Sequence, residues 1–387
     1  MFRSPLTPIF LVVAVDVFGM TLMIPLLPFY AQHFGASPLI VGVLLASFAA
    51  SQLLSGPILG RISDTAGRRP TLIISQIGTC IGFLVLAFAG SLWMVFLGRI
   101  IDGLTAGNLT IAQAYISDVT KPEERTRAFG LIGIAFGMGF LLGPAISGYL
   151  SQFGLQWPAF AAAGLSFLSI LASTFLLPRV PRREPPAGVQ GGRMETITRY
   201  FARPLPRRRL LEFFAFVLSF SMLIGGTALF LGHRMGFNAE QTGYMFGFSG
   251  LIGAIIQGGL LGRLVKRYGE EKLAIVGFVA MALGLGLLGT VYELWWLLVL
   301  VGVGAFGSSV VRPALTTLLT HSVGPHEQGA VLGVSQSLSS IAAIIGPIVA
   351  GWLIDHELLG TWGLVGGAVA LVGAVLLTRE TREEPAV

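Results

Sequence analysis

Long apolar stretches recur along the whole chain and are separated by short polar segments. About twenty such residues are needed for a helix to cross the hydrocarbon core of a bilayer. Windows of that length predict twelve spans, at roughly 8–30, 38–60, 71–89, 93–118, 128–150, 157–177, 210–232, 239–262, 273–290, 295–320, 329–354 and 360–378. Backbone polar groups must pair within lipid, and the alternating ten-residue pattern of a barrel is missing. The pattern therefore predicts an all-α membrane protein.

The distribution of charge predicts how this protein is oriented. Only 11% of the residues are charged, against about 25% in soluble domains. The Lys and Arg residues lie almost entirely on one side of the predicted spans, and the opposite loops hold only Arg234. We therefore expect a multi-pass protein of the cell (plasma or inner) membrane with both termini cytoplasmic. The net charge of +6 is explained by topology, so no nucleic-acid partner is expected.

The two halves of the chain repeat each other. Gly143-Pro144 in the fifth span recurs as Gly346-Pro347 in the eleventh, within similar sequences. A polar segment rich in Pro, Gly and Arg lies between the halves. We predict an N-terminal six-helix bundle over 1–178, a cytoplasmic linker over 179–209 and a C-terminal six-helix bundle over 210–387. Six plus six spans with an internal duplication is the layout of a transporter.

Three local motifs carry a family resemblance. They are "GRISDTAGRRP" (60–70) between spans two and three, "GIAFGMGFLLGPAISGY" (133–149) in span five and "DVFGMTLMIPLLP" (16–28) in span one. Together with the span layout they resemble the major facilitator superfamily over nearly the whole chain. Within that superfamily the chain is most similar to the twelve-span drug/proton antiporters, the group that includes the tetracycline exporters.

The resemblance implies a cytoplasmic gate in the first motif. Two glycines are expected to allow tight turns, an acid to face a helix N-terminus, and two arginines to pair with an acid at the end of span four. These residues are Gly60, Asp64, Gly67, Arg68, Arg69 and Asp118. Such a cluster would latch the cytoplasmic side closed. The alternative is a set of surface charges that only fixes topology.

The second motif is expected to provide close helix packing that seals the transporter. The antiporter pattern Gly-x-x-x-Gly-Pro is matched by Gly139, Gly143 and Pro144, and its final glycine by Gly148. With Gly133 and Gly137 these glycines are expected to form one small-residue face. The resemblance favours export over uptake.

Ionisable residues inside the spans are the candidates for proton coupling. Asp16, Arg99, Asp102 and Arg312 lie within apolar segments, where a charge costs at least ~2.5–3.5 kcal/mol. Burial favours the neutral form of a carboxylic acid, so Asp16 can carry a proton. Arg99 and Asp102 share a helix face at a spacing of three. The proton can reside on Asp16 or on Asp102, and both can also be structural ion-pair partners.

Polar residues of spans one, four and ten are expected to line a substrate cavity, by analogy with the family. They are Thr21, Asn108, Gln113, Ser308, Ser309 and Arg312. A mainly apolar pocket with few polar groups suits a lipophilic small molecule. Arg312 can meet a substrate anion or a helix C-terminus.

The sequence thus favours a proton-coupled exporter of hydrophobic or amphipathic compounds that works by alternating access. No catalytic triad, metal-ligand spacing or Walker loop is present in the sequence, so no enzyme activity, metal or cofactor is expected beyond the proton gradient. A monomer is expected. The alternatives are a proton-coupled carrier for a small metabolite or sugar, and a receptor or scaffold that has lost transport.

Overall fold

The protein is described here by a computed structural model that covers residues 6–120, 125–178, 193–324 and 327–380. These residues form fifteen α-helices and no strand. The helices are α1 (Leu6–His33), α2 (Pro38–Ala66), α3 (Arg68–Ala87), α4 (Leu92–Leu104), α5 (Asn108–Val119), α6 (Arg125–Ser151), α7 (Trp157–Phe175), α8 (Arg193–Ala202), α9 (Pro204–Met235), α10 (Ala239–Ile255), α11 (Leu261–Tyr268), α12 (Glu270–Gly286), α13 (Leu294–His321), α14 (Gln328–Asp355) and α15 (Leu359–Glu380). A π-helical turn, Ile256–Leu260, joins α10 to α11.

Most of the predicted spans are single long helices. Within the described residues, eleven helical segments are long and apolar enough to cross a bilayer. The prediction of an all-α membrane protein is confirmed. The predicted fourth span, 93–118, is wrong in one respect, because it is not continuous: α4 ends at Leu104 and α5 begins at Asn108.

The chain forms two compact units. The first comprises Met1–Ala187 with Phe237–Gly247, and the second comprises Gly188–Gly236 with Phe248–Val387. The predicted division into 1–178, 179–209 and 210–387 stays a prediction; its segment 179–192 lies outside the described residues. In the first unit α1 packs against both α6 and α7, and apolar side chains of α1, α3, α5, α6 and α7 share one core.

The second unit repeats one contact of the first. In the first unit, Gly143 of α6 faces Thr21 of α1 so closely that an added Cβ would lie 2.8 Å from the Thr21 Cβ. In the second unit, Gly346 of α14 faces Ser221 of α9, where an added Cβ would also lie 2.8 Å from the Ser221 Cβ. The repeated Gly-Pro pair therefore makes the same kind of helix contact in both units.

The short helix α8 is anchored within the second unit. Tyr200 of α8 is fully buried in a core with Leu210 and Val331. Arg199 and Arg203 form ion pairs with Glu327, at 2.7 and 2.9 Å. The hydrogen bond from Arg203 and the positive charges of both arginines lower the pKa of Glu327. Part of the predicted linker is thus a docked helix.

Candidate functional site

Asp16 lies in the middle of α1, beside polar side chains of α3 and α7. Gln76 of α3 and Ser169 of α7 are both fully buried and lie next to the Asp16 carboxyl group. Gln76 Nε2 donates a hydrogen bond to Ser169 Oγ at 2.6 Å, and Ser166 Oγ donates to the Gln76 carbonyl oxygen at 3.2 Å. The acid is therefore held in a polar cluster between three helices of the first unit.

Two acceptor atoms of this cluster receive no hydrogen bond from the described residues. Oδ1 of Asp16 and Oε1 of Gln76 are buried and have no hydrogen-bond partner among the described residues. Both atoms accept hydrogen bonds, and an ionised carboxylate donates none. Leaving a buried acceptor unpaired costs about 1–3 kcal/mol. A proton on the Asp16 carboxyl group would supply a further donor to the cluster.

Arg99 and Asp102 form a buried ion pair on α4. Arg99 Nη1 donates to Asp102 Oδ2 at 2.8 Å, and both side chains are largely buried. The Arg99 guanidinium also lies over the Phe48 ring, 4.2 Å from its centroid. Asp102 lies near enough to Asp16 for the two acids to interact electrostatically. Asp102 therefore has a cationic partner, whereas Asp16 has only neutral ones.

The break between α4 and α5 follows this ion pair directly. A backbone that leaves the helix inside a membrane needs other partners for its polar groups. Ser75 of α3, which is fully buried, provides them: its hydroxyl donates to the Thr105 carbonyl oxygen and accepts from the Gly107 N–H at 3.1 Å. Gln52 Nε2 donates to the Ala106 carbonyl oxygen at 3.3 Å. Side chains of α2 and α3 thus stabilise the interruption.

Arg68 is the centre of the predicted gate cluster. It begins α3 and forms ion pairs with Asp64 at 2.5 Å and with Asp118 at 2.9 Å. It also donates to Ser63 Oγ at 3.1 Å. The structure thus brings the ends of α2, α3 and α5 together through one guanidinium group.

Two other residues of this motif differ from their predicted roles. Arg69 donates to the carbonyl oxygens of Ser173 and Thr174, so it caps the C-terminal end of α7 instead of pairing with an acid. Gly60 lies inside α2 and makes no turn, so that prediction is wrong. Gly67 joins α2 to α3 with a φ of +101°, a conformation that favours glycine.

The glycines of α6 face different neighbours, so the prediction of one small-residue face is wrong. An added Cβ at Gly139 or Gly143 would meet α1, whereas at Gly148 it would lie 2.7 Å from the Glu240 carbonyl oxygen of α10. At Gly133 and Gly137 it would meet nothing within 4 Å. Helical periodicity of 3.6 residues explains this result, since the five positions do not share one stripe.

The predicted cavity residues of the first unit lie in unlike environments. Thr21 is fully buried, and its hydroxyl donates to the Val17 carbonyl oxygen at 2.9 Å. It packs beneath Gly143 and presents no accessible surface. Asn108 is half-buried, and its Oδ1 has no partner among the described residues. Gln113 is exposed.

The predicted cavity residues of the second unit all lie on α13. Ser309 is buried and donates to the Ala305 carbonyl oxygen at 2.7 Å. Ser308 is half-buried, and Arg312 is exposed. The assignment of these residues to a substrate cavity stays a prediction.

Two further candidate residues carry little signal in the sequence. Gln76 and Ser169 lie in apolar spans, and their only sequence signal is that both are polar. Glu212 at the start of α9 is a further buried acid. It is fully buried and pairs with Arg209 at 3.1 Å, and Arg209 in turn pairs with Glu271 at 2.7 Å.

Comparison with known proteins identifies the family. The model of the Major Facilitator Superfamily matches residues 9–261 and 255–387. The class B tetracycline resistance protein of Escherichia coli is 32% identical over 352 residues, which cover 89% of this chain and 86% of the relative. Multidrug resistance protein 2 of Bacillus subtilis (strain 168) is 29% identical over 378 residues, covering 94% and 93%.

Solved structures share the same fold. The human organic anion transporter MFSD10 (TETRAN) aligns with a TM-score of 0.75 at 24% identity, over 96% of this chain and 98% of that one. The nucleoside transporter NupG aligns with a TM-score of 0.75 at 16% identity, over 98% and 100%. At these identities the structures establish the fold alone.

The long apolar helices define a multi-pass membrane protein, and the family model and the relatives show that it is a transporter and not an enzyme. The chain belongs to the major facilitator superfamily.

Proposed function

We propose that the protein exports hydrophobic or amphipathic small molecules across the cell membrane in exchange for protons, by alternating access. The relatives that span nearly the whole chain are tetracycline and multidrug resistance proteins, which supports export of drug-like compounds. The observation that carries proton coupling is the half-buried Asp16 side chain, whose buried Oδ1 lacks a partner among the described residues.

In this proposal Asp16, and not Asp102, takes up the transported proton. Asp102 already pairs with Arg99 at 2.8 Å, and removing one partner of a buried ion pair is strongly unfavourable. Asp16 has neutral neighbours, and its protonation would supply the cluster with a donor. The Arg99–Asp102 ion pair then responds to this protonation, because loss of the negative charge at Asp16 removes an electrostatic repulsion from Asp102.

The Arg68 cluster is proposed to be the cytoplasmic gate. The one-sided distribution of Lys and Arg supports a cytoplasmic position for both termini and for this cluster. Its ion pairs join α2, α3 and α5, so a movement of these helices relative to one another would break them. The packing of α6 on α1 and α10 is proposed to supply the opposing seal.

The experiment that tests this function is transport in proteoliposomes with an imposed pH gradient. The wild-type protein is compared with Asp16→Asn and Asp102→Asn, and with Asp355→Asn as a control acid at the end of α14. We expect wild type and Asp355→Asn to move a lipophilic probe such as tetracycline against its gradient. Asp16→Asn should lose the response to pH while still binding the probe.

Two results would reject the proposal. If accumulation by the wild type ignores the pH gradient for every lipophilic probe tried, proton coupling is absent. If uptake of a small metabolite or sugar follows the proton gradient inward, the carrier alternative is correct. Full pH dependence in Asp16→Asn together with its loss in Asp102→Asn would move the proton site to Asp102.

A further inference from the structure

Arg312 is a charged residue deep within a membrane-spanning helix. It lies in α13, about 14 Å from the helix end at His321, given a rise of 1.5 Å per residue. Pro313 follows it and removes one backbone donor from the helix at this point. Arg312 is thus well inside the hydrocarbon region, which is about 30 Å thick.

The Arg312 guanidinium has no charged neighbour in the described part of the chain. No acidic side chain among the described residues lies close enough to interact with it. Its side chain is exposed at the surface of the second unit. A permanent cation in this position needs water and a counter-charge, because Arg remains protonated in proteins.

Polar side chains lie one turn before and one turn after Arg312. Ser308, Arg312 and Thr316 follow one another at a spacing of four and form a stripe along α13. The neighbouring faces of the helix are packed: Gly307 lies against Met281 of α12, and Ser309 lies beside Gly253 of α10. The stripe therefore lies between the faces of α13 that contact α12 and α10.

An apolar side chain is exposed on the opposite side of α13. Val299, which lies on that side by the 100° rotation per residue, is 45% exposed. An exposed apolar side chain in a span suits lipid, whereas a stripe of two hydroxyls and a guanidinium does not. The exposed Arg312 guanidinium, with a hydroxyl one turn before it and another one turn after it, therefore suits contact with water and not with lipid.

We propose that Arg312 binds an acidic group of the transported molecule, so that the preferred substrates are amphipathic organic anions. This inference rests on the proposed export function and names its substrate class. A guanidinium group presents parallel N–H donors that match a carboxylate, sulfonate or phosphate. The hydroxyls of Ser308 and Thr316 already donate to the carbonyl oxygens of Ala305 and Arg312, at 3.2 and 2.8 Å, so the guanidinium group alone supplies the donors for the acidic group.

The charge of the substrate determines how the membrane potential affects transport. Exchange of one inward proton for one outward monoanion moves two charges across the membrane. Exchange of one proton for one monocation moves none. A membrane potential that is negative inside would therefore drive export of an anion and leave exchange of a cation unaffected.

Binding of two matched probes tests this inference. The probes are naphthalene-2-sulfonate and (2-naphthylmethyl)trimethylammonium, which share an aromatic body and carry opposite charges. Calorimetry with the full chain in detergent should show tighter binding of the sulfonate. Arg312→Gln should weaken sulfonate binding by at least about tenfold, as expected for loss of a charge-assisted hydrogen bond, and leave ammonium binding unchanged.

Two further variants serve as controls. Arg312→Lys keeps the charge without the planar fork and should have intermediate affinity. Arg263→Gln removes an exposed charge at the second unit's α11 and should bind like the wild type. Equal sulfonate affinity in wild type and Arg312→Gln would overturn the inference, and so would preference of the wild type for the ammonium probe. The comparison of the two probes on the wild-type protein tests the inference even if Arg312→Gln does not fold.

The experiments distinguish a failure of the anion site from a failure of the proposed export function. If sulfonate binding depends on Arg312 but no transport responds to pH, the anion site stands and proton coupling fails. If the protein exports the ammonium probe in response to pH and does not bind the sulfonate, export stands and the anion site fails. When both stand, sulfonate export should accelerate with an interior-negative potential set by valinomycin and potassium.

Discussion

Replacement of Gly143 by alanine tests the contact between α6 and α1. The added Cβ would overlap the Thr21 hydroxyl oxygen and would lie 2.8 Å from the Thr21 Cβ and 3.3 Å from its carbonyl carbon. Thr21 cannot rotate away freely, because it is fully buried and its hydroxyl is bonded to the Val17 carbonyl oxygen. The two helices must therefore move apart.

A matched variant isolates the cost of this displacement. Overpacking of a core costs about 1–3 kcal/mol, while the change from glycine to alanine in a helix returns about 1 kcal/mol. Gly137→Ala lies in the same helix with nothing within 4 Å, so it has the helix-propensity gain alone. The propensity terms cancel in the comparison. The unfolding free energy of Gly143→Ala should thus be about 1–3 kcal/mol lower than that of Gly137→Ala.

The assay combines unfolding in detergent with proton-driven transport in liposomes. Asp16 lies on the same helix as Thr21, so a shift of α1 also displaces the acid from Gln76 and Ser169. We therefore expect Gly143→Ala to lose transport at a temperature where it is still folded, and Thr21→Ala to restore it in part. If Gly143→Ala matches Gly137→Ala in both stability and transport, the close contact between α1 and α6 does not exist as described.

Three other perturbations test separate parts of the structure. Ser75→Ala removes the partner of two backbone groups at the break in the fourth span and should lower the unfolding free energy by about 1–3 kcal/mol; an unchanged unfolding transition would contradict the described interruption. Arg68→Gln and Asp118→Asn should show a coupling of about 0.5–1.5 kcal/mol in a double-mutant cycle, and strictly additive effects would argue against their ion pair. Because the pKa of Glu327 is lowered in the folded protein, its stabilisation is complete above about pH 4.3 and is lost as the pH falls through the lower folded value. The backbone amides of α8 should exchange slowly between pH 5 and 7 and faster at lower pH. In Glu327→Gln they should exchange fast at pH 7 as well. Equal exchange rates in both proteins would refute the anchoring of α8 by Glu327.

Hydropathy predicted the spans well, because lipid sets the length and composition of a helix that crosses it. It did not predict the interruption at Thr105, Ala106 and Gly107. Those residues are no more polar than their neighbours, so the break depends on a hydroxyl and an amide that α3 and α2 supply. Partners from distant segments leave no signal in a window of twenty residues.

The environment of Asp16 was predictable only in part. An acid in an apolar span is conspicuous, because its cost in lipid demands an explanation. Gln76 and Ser169 are not conspicuous, since neutral polar groups are tolerated inside helical bundles. Their importance comes from lying on α3 and α7 at the level of Asp16, and this depends on helix rotation that the spacing of apolar residues does not fix here. The failed prediction of a single glycine face in α6 has the same cause.

Within the first unit, a series of packed helix contacts extends from Asp16 on α1 to the end of α6. Asp16 faces α3 and α7, while Thr21 on the same helix contacts α6 at Gly143. Gly148 at the far end of α6 touches the beginning of α10. A change of charge at Asp16 alters the forces on α1, and close-packed helices transmit displacement because they contain little free space. Coupling requires more than contiguity, so the deciding quantity is the non-additivity of Asp16→Asn and Gly143→Ala in the free energy of unfolding.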